Sequence, residues 1–304
     1  FGRKSLPDYA VQAAQLAAKM GRPVQLIWSR EEDVQQDFYR PAVHSRFRGA
    51  LDSAGNLTAW ENTYAGKMEP VEAPVIPYTV AAKDIGHVAS PTHVPLGAWR
   101  SVDHSQHGFF TESFIDEVAA AAGQDAYAYR ATRLKHLPRQ LAVLTKAATE
   151  AQWHTPLAPG RGRGIALQES FGSIVAEVVE VTVDDGNLSV DRVVAVIDAG
   201  YAISPDGMKA QIESGIIYGL SAALYGEITI KDGAVAESNF HDYPSVRISK
   251  APAIETHIIN SGEAMGGAGE PGTPPIAPAL ANAIFNATGN RIRQLPIKHS
   301  ALNV

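Results

Sequence analysis

Apolar and polar positions run in two rhythms along this chain. Pro7 to Gly21 (PDYAVQAAQLAAKMG) is filled with Ala and Leu, carries Pro at its start and ends in Gly, which predicts a helix. VQLIW, Val24 to Trp28, predicts a short buried strand. His44 to Gly66 predicts two strands joined by a turn at Ser53–Asn56. Residues 67–98 hold no clear period and predict irregular connections with short strands. In TESFIDEVAAAAG, Thr111 to Gly123, Phe114, Ile115, Val118 and Ala122 share one face, so a helix is predicted there. Another helical piece is predicted from about Ala126 to Leu137, stopped by Pro138. HTPLAPGRGRG, His154 to Gly164, is dense in Pro, Gly and Arg and reads as a linker.

The remainder favours strands. IVAEVVEVTV and LSVDRVVAVIDAG flank Asp185-Gly186 and predict a long hairpin. Met208 to Leu224 predicts a buried helix, and Asp232-Gly233 marks a second hairpin. IETHIIN predicts a strand, Gly262 to Pro275 a Gly/Pro loop, PIAPALANAIFNATG a helix ending at Gly289, and IRQLPI a last strand. The class is α+β, with mixed sheets and packed helices, divided into portions 1–153 and 154–304.

Composition narrows the chemistry. There are 26 Lys+Arg against 32 Asp+Glu, a net charge of −6, and no Cys. Thiolate zinc sites, iron–sulfur ligation and a Cys nucleophile are therefore excluded within this chain. The acidic balance argues against a nucleic-acid partner, which would need a basic face. The longest apolar stretch, Gly215 to Gly226, falls short of the roughly 20 residues a membrane span requires. The chain opens on FGRK, which reads as the middle of a motif, so the 304 residues are expected to be part of a longer chain.

The richest motif is GGAGEPGTPP. Gly267, Gly269 and Gly272 satisfy G-x-G-x-x-G, yet the context is wrong for a dinucleotide fold. Polar SGEAM separates the strand from the glycines, no acid follows Glu270, and Pro271, Pro274 and Pro275 break the helical turns. Glycine backbone can instead approach a bulky anion and offer N–H donors. Glu270 sits among these glycines as a candidate general base, or as a solvated carboxylate on a surface turn. Arg100, in PLGAWRSVDHSQ, is either part of a site or stacked on Trp99 to hold a loop. Gln211 and Glu213, in QIESG, either take part in a site or face solvent. His104 and His107 have a spacing that metal ligands use, but no further ligand pattern completes it.

Taken in order, FGRK, AWRS, QIESGIIYGLSAALYGEI and GGAGEPGTPPIAPALANAIFNATG resemble the molybdenum-binding large subunit of the xanthine dehydrogenase/aldehyde oxidase family. NFHDYP, Asn239 to Pro244, with GEPGTPPIAPALANAIF, is most similar to the branch that holds the isoquinoline 1-oxidoreductase beta subunit. The resemblance implies the C-terminal portion of a molybdenum-cofactor-binding subunit, with 1–153 and 154–304 as two cofactor-binding portions. It implies a hydroxylase that oxidises an aldehyde or aromatic N-heterocycle with water as the oxygen source. Glu270 would be the catalytic base. Phe1, Gly2, Arg100, Gln211, Gly266, Gly267, Ala268 and Gly269 would hold a molybdopterin dinucleotide, in its cytosine form, with molybdenum and no direct side-chain metal ligand. Trp99 and Val102 would line the substrate pocket. The implied partners are the remainder of the same subunit and an iron–sulfur subunit carrying 2Fe–2S clusters, and the 304 residues alone would be inactive. Two positions depart from purine-oxidising members. Ser5 stands where they carry an acid and Val102 where they carry an aromatic, which argues against a xanthine pocket. The other reading is a non-catalytic binding or structural module that retains the fold. The compartment, bacterial periplasm or cytoplasm, is left open.

Overall fold

The computed structural model describes residues 1–67 and 74–299. Among these residues, two larger sheets, one two-stranded sheet and seven α-helices are arranged around two apolar clusters. The first sheet pairs β1 (His44–Leu51) antiparallel to β2 (Leu57–Gly66), and β2 parallel to β3 (Ala82–Ala89). The second has the order β4 (Arg161–Ser170), β5 (Ser173–Asp184), β6 (Asn187–Asp198), β9 (Ala253–Ile259). Its first three strands are antiparallel neighbours, and β9 runs parallel to β6. A small hairpin, β7 (Ile230–Lys231) with β8 (Ala234–Val235), lies between.

The second sheet is covered on both faces, which is why β5 reads as an almost unbroken apolar run. On one face Val175, Val179, Val193 and Ile197 pack with α6 (Pro205–Leu224) and α7 (Ile276–Thr288). On the other, Ile165, Ile174, Val178 and Val194 pack with α3 (Asp103–Ala121), α4 (Ala126–Arg133) and α5 (Pro138–Glu150). The same second cluster contains Leu57 and Trp60 of β2, so it also joins the two sheets. The expected hairpin turn at Asp185-Gly186 is present with both residues left-handed, φ 46° and 75°. Gly21 and Gly289 end α1 (Asp8–Met20) and α7 in the same conformation, at φ 62° and 76°.

Several expectations are corrected. Val24–Trp28 forms no strand and pairs with none among the described residues, and Ile27 is 77% exposed. Trp28 Nε1 instead donates to Gln12 Oε1 on α1 at 3.0 Å. The chain then enters α2 (Arg30–Gln36) through a capping box made by Ser29 and Glu32. IRQLPI is likewise no strand. Ile292 and Ile297 act as apolar anchors on the α6–α7 side of the core. A short apolar run looks the same in either role, because its pattern carries no information about a neighbour. Of the stretch 67–98, residues 68–73 lie outside the described residues and the rest holds one eight-residue strand, β3, in otherwise irregular chain, while α3 begins at Asp103 rather than Thr111. The helix expected to reach Leu137 ends at Arg133, before Pro138 can stop it, and Pro138 instead occupies the first turn of α5, where its missing N–H is not needed. The supposed linker ends inside the core. Arg161–Gly164 starts β4, and a Cβ on Gly162 or Gly164 would collide with the backbone of α7. Glycine there permits close helix–strand contact rather than flexibility.

One buried group stands out. Glu177, on β5, is 0% exposed, and neither carboxylate oxygen has a hydrogen-bond partner among the described residues. It faces the α6–α7 side between Val175 and Val179, opposite Ala166 and Ala195. Burial raises its pKa well above the ordinary carboxyl value, so it holds its proton in the folded protein. The unfolded chain would release that proton near pH 4.3. Stability is then full below that pH and falls as pH rises towards the folded value, by up to about 1.4 kcal/mol per pH unit. Glu177→Gln is expected to remove this slope, so the variant gains on the wild type from pH 5 to 8. Urea midpoints across that range would show it, and parallel profiles would refute it.

Candidate active site

Three segments distant in sequence meet near the start of α3. They are Phe1–Gly2, the turn Trp99–Val102, and the loop from Gly262 to Pro275. Arg100 ties them together. Its guanidinium lies 4.2 Å from the Phe1 ring centroid. Its Nε donates to Gly269 O at 2.8 Å, and Nη2 donates to the same carbonyl. Nη1 donates to Ser214 Oγ at 3.0 Å, and Nη2 to both O and Oε1 of Gln211, each at 3.2 Å. One buried side chain therefore fastens two loops to α6. Burial lowers the Arg100 pKa, opposed by the nearby Tyr218 and Glu270. Gly2 packs directly on Ala98, and a Cβ on Gly269 would come within 2.8 Å of the Phe1 ring.

Glu270 lies beside this knot. Its Oε1 accepts a hydrogen bond from Ser101 N–H at 3.2 Å, and its carbonyl accepts from Thr273 N–H at 3.0 Å. Ser101 and Val102 have φ of 73° and 43°. Neither is glycine, and Val is β-branched, so the turn is strained, by about 1–3 kcal/mol per residue. Val102 N–H donates to Trp99 O at 2.8 Å and His104 N–H to Ser101 O at 3.1 Å, which holds the strained conformation.

The glycine run hangs from the ends of the second sheet. Gly266 N–H donates to Ala199 O at 3.1 Å and Gly267 N–H to Phe171 O at 2.8 Å. Ser173 Oγ donates to Gly267 O at 2.6 Å. Two of the amides that the sequence offered to an anion are thus engaged by the protein. Those of Ala268 and Gly269 donate to no group among the described residues.

Trp99 is stacked by Arg40 at 4.2 Å and by Tyr218 at 4.8 Å with an interplanar angle of 25°. The arginine stacked on Trp99 is therefore Arg40, and Arg100 takes Phe1 instead. Val102 keeps 39% of its surface exposed. Gln211 and Glu213 are both exposed on α6, although Gln211 also serves Arg100. His104 and His107 are buried in α3. Burial, then the neighbouring His104, pushes His107 down to about 4. Among the described residues no group of three or more His, Asp or Glu is placed to hold a metal.

Sequence reasoning missed Phe171. It tips the β4–β5 hairpin at φ 53°, touches the Gly267 backbone, and sets its ring edge-on to His104 at 5.3 Å. The only signal was a Phe-Gly pair between two strand patterns. A groove of about 720 Å³ along α6 was also missed. It shares Ser214 and Tyr218 with the Arg100 cluster, but Glu270 does not line it.

Residues 1–134 and 102–252 each match a molybdopterin cofactor-binding domain family. The beta subunit of isoquinoline 1-oxidoreductase from Brevundimonas diminuta is 31% identical over 322 residues, covering 98% of this chain and 41% of that protein. The chain belongs to the molybdenum-binding subunits of the xanthine dehydrogenase/aldehyde oxidase family. A nicotinate dehydrogenase subunit of Pseudomonas putida is 31% identical over 98% of this chain and 28% of its own length. The chain thus spans well under half of these relatives. Among solved structures, quinoline 2-oxidoreductase from Pseudomonas putida 86 shares the fold of 98% of this chain at a TM-score of 0.81 and 14% identity, over 66% of its own chain. Aldehyde oxidoreductase from Desulfovibrio gigas does so over 99% of this chain and 54% of its own, at 0.80 and 17%. Among the described residues no helix of this family member is long and apolar enough to cross a membrane.

Proposed function

We propose that this chain is part of a molybdenum hydroxylase that oxidises an aldehyde or an aromatic N-heterocycle, with water as the source of oxygen. The observation that carries this reading is the Glu270 carboxylate, held by the Ser101 amide where the three segments converge. The residues also fit a bulky anionic cofactor. Ala268 and Gly269 present free amides on a backbone without bulky side chains, and exposed Gln211 adjoins them. Phe1, Gly2, Arg100, Gln211 and Gly266 to Gly269 would hold a molybdopterin dinucleotide, in its cytosine form, between portions 1–153 and 154–304. When bound, that group supplies the redox chemistry and activates the oxygen derived from water. Glu270 accepts the proton that is lost as the substrate carbon gains oxygen. The Ser101 amide orients the carboxylate that takes up this proton, and Arg100 anchors the loop that carries it. Val102, the edge of Trp99 and Phe171 form the substrate side and help to exclude water. Small Val102 leaves room for a substrate larger or less planar than a purine. Electrons leave through 2Fe–2S clusters on a partner subunit; these 304 residues hold no Cys to ligate them.

The full-length protein, purified with its partners, is expected to contain molybdenum and a pterin dinucleotide in equal amounts. Metal analysis with chromatography of the oxidised pterin would decide this. A correctly folded protein devoid of both, after expression in a host that makes the cofactor, would leave only the non-catalytic module.

A further inference from the structure

Among the described residues, Arg40 is a cation without a matching carboxylate, and burial pushes its guanidinium down to about 10. The groups it meets are aromatic or hydroxylic. Its planar face covers the Trp99 ring at 4.2 Å, and Tyr218 and Tyr243 are near enough to favour its charge. Its Nη2 donates to Ser105 Oγ at 2.8 Å, and that hydroxyl in turn donates to Val102 O at 3.0 Å. Desolvating a guanidinium without a carboxylate costs stability, so packing alone gives no reason to keep it.

The contacts supply a reason. Trp99 and Val102 are the two ends of the turn that carries Arg100 and Ser101. Arg40 grips both ends, one through a ring face and the other through a hydroxyl relay. The turn it grips is strained at Ser101 and Val102, with φ of 73° and 43°, and would relax without outside support. NFHDYP is itself held in a fixed fold. Asp242 accepts from Ser238 N–H at 3.0 Å and Asn239 N–H at 2.9 Å, which folds the motif. Asn239 Nδ2 fastens it to Glu31 Oε1 on α2 at 2.6 Å. Tyr243, at the end of this motif, is thereby kept within electrostatic reach of Arg40.

We infer that Arg40 is a positioning residue that braces the strained Trp99–Val102 turn, so that the Ser101 amide stays on Glu270. It does not touch the reacting atoms. The catalytic consequence rests on the activity proposed above, while the bracing itself does not.

The test uses the full-length protein with its partners and two variants. Arg40→Met removes charge and donors. Arg40→Lys keeps the charge and one donor but loses the planar face, and guards against a failure of Arg40→Met to fold. Amide hydrogen exchange in the cofactor-free protein reads the turn directly. Peptides spanning 99–106 are expected to exchange at least about tenfold faster in Arg40→Met, with Arg40→Lys in between. In the loaded enzyme, kcat is expected to fall about 10- to 100-fold with KM little changed, because a base displaced by a fraction of an ångström loses alignment rather than substrate affinity. Unchanged exchange over 99–106 in both variants would overturn the bracing. Faster exchange with unaltered kcat would overturn its link to Glu270. Faster exchange in a protein that never binds molybdenum would uphold the bracing and sink the activity reading instead.

Discussion

Glu270→Gln in the complete, cofactor-loaded protein is expected to slow the chemical step by about 10²–10⁴-fold, the usual cost of losing a general base. Gln is almost isosteric with Glu. It can still accept the Ser101 N–H bond that Oε1 receives at 3.2 Å, so the loop and the cofactor site should survive. What it cannot do is take up a proton. The loss should therefore appear equally in kcat and kcat/KM, as expected for an interaction made in the transition state. Rapid-mixing measurement of cofactor reduction by substrate isolates this step from electron transfer onward. A variant with full cofactor content and an unchanged reduction rate would remove Glu270 from the mechanism.

Arg130→Ala is expected to destabilise the fold by about 3–5 kcal/mol, the range for breaking a buried ion pair from one side. Arg130 is fully buried. Its Nε donates to Glu112 Oε2 at 2.9 Å, and its Nη1 to Asp116 Oδ2 at 3.2 Å. Glu112 is also fully buried and accepts from the Tyr78 hydroxyl at 2.5 Å and from Leu167 N–H at 3.1 Å. Burial raises the Glu112 pKa, and Arg130 opposes the rise. Without Arg130 the folded protein would hold a proton on Glu112 that the unfolded chain releases near pH 4.3. The deficit should therefore widen as pH increases from 5 to 8. Denaturation midpoints in the full-length protein would measure it. A loss below about 1 kcal/mol at pH 8 would show that the cluster is not the anchor its burial suggests. Asp116 also accepts from Arg291 Nη1 at 2.7 Å, so the cluster fixes α3 to the segment after α7. The same helix carries the Trp99–Val102 turn at its start, and an unanchored α3 would lose activity as well as stability.

Local chemistry made much of this legible in the sequence. Asp185-Gly186 and Asp232-Gly233 define tight turns because few residues accept left-handed φ, and the helix-ending Gly21 and Gly289 follow the same rule. The long hairpin β5–β6 was readable because a strand covered on both faces must be apolar throughout. The ordered motifs at Phe1, Arg100, Gln211 and Glu270 were readable as a family signature. Wherever the outcome depended on a neighbour, the sequence was silent. Val24–Trp28 and IRQLPI have strand-like composition, but a strand exists only where another offers its hydrogen bonds. The Gly-Arg-Gly run at Gly160–Gly164 looked flexible because glycine gives no sign of whether it serves mobility or close packing, and α7 makes it the latter. Arg40 carries no motif. It became visible only when folding laid it on Trp99, across some sixty positions of chain that no spacing rule connects. Residue types and local turns were thus set by short-range sterics and burial. The partners of Arg40, Arg100 and Glu270 were decided by which distant surfaces the two sheets and α3 bring within hydrogen-bond reach.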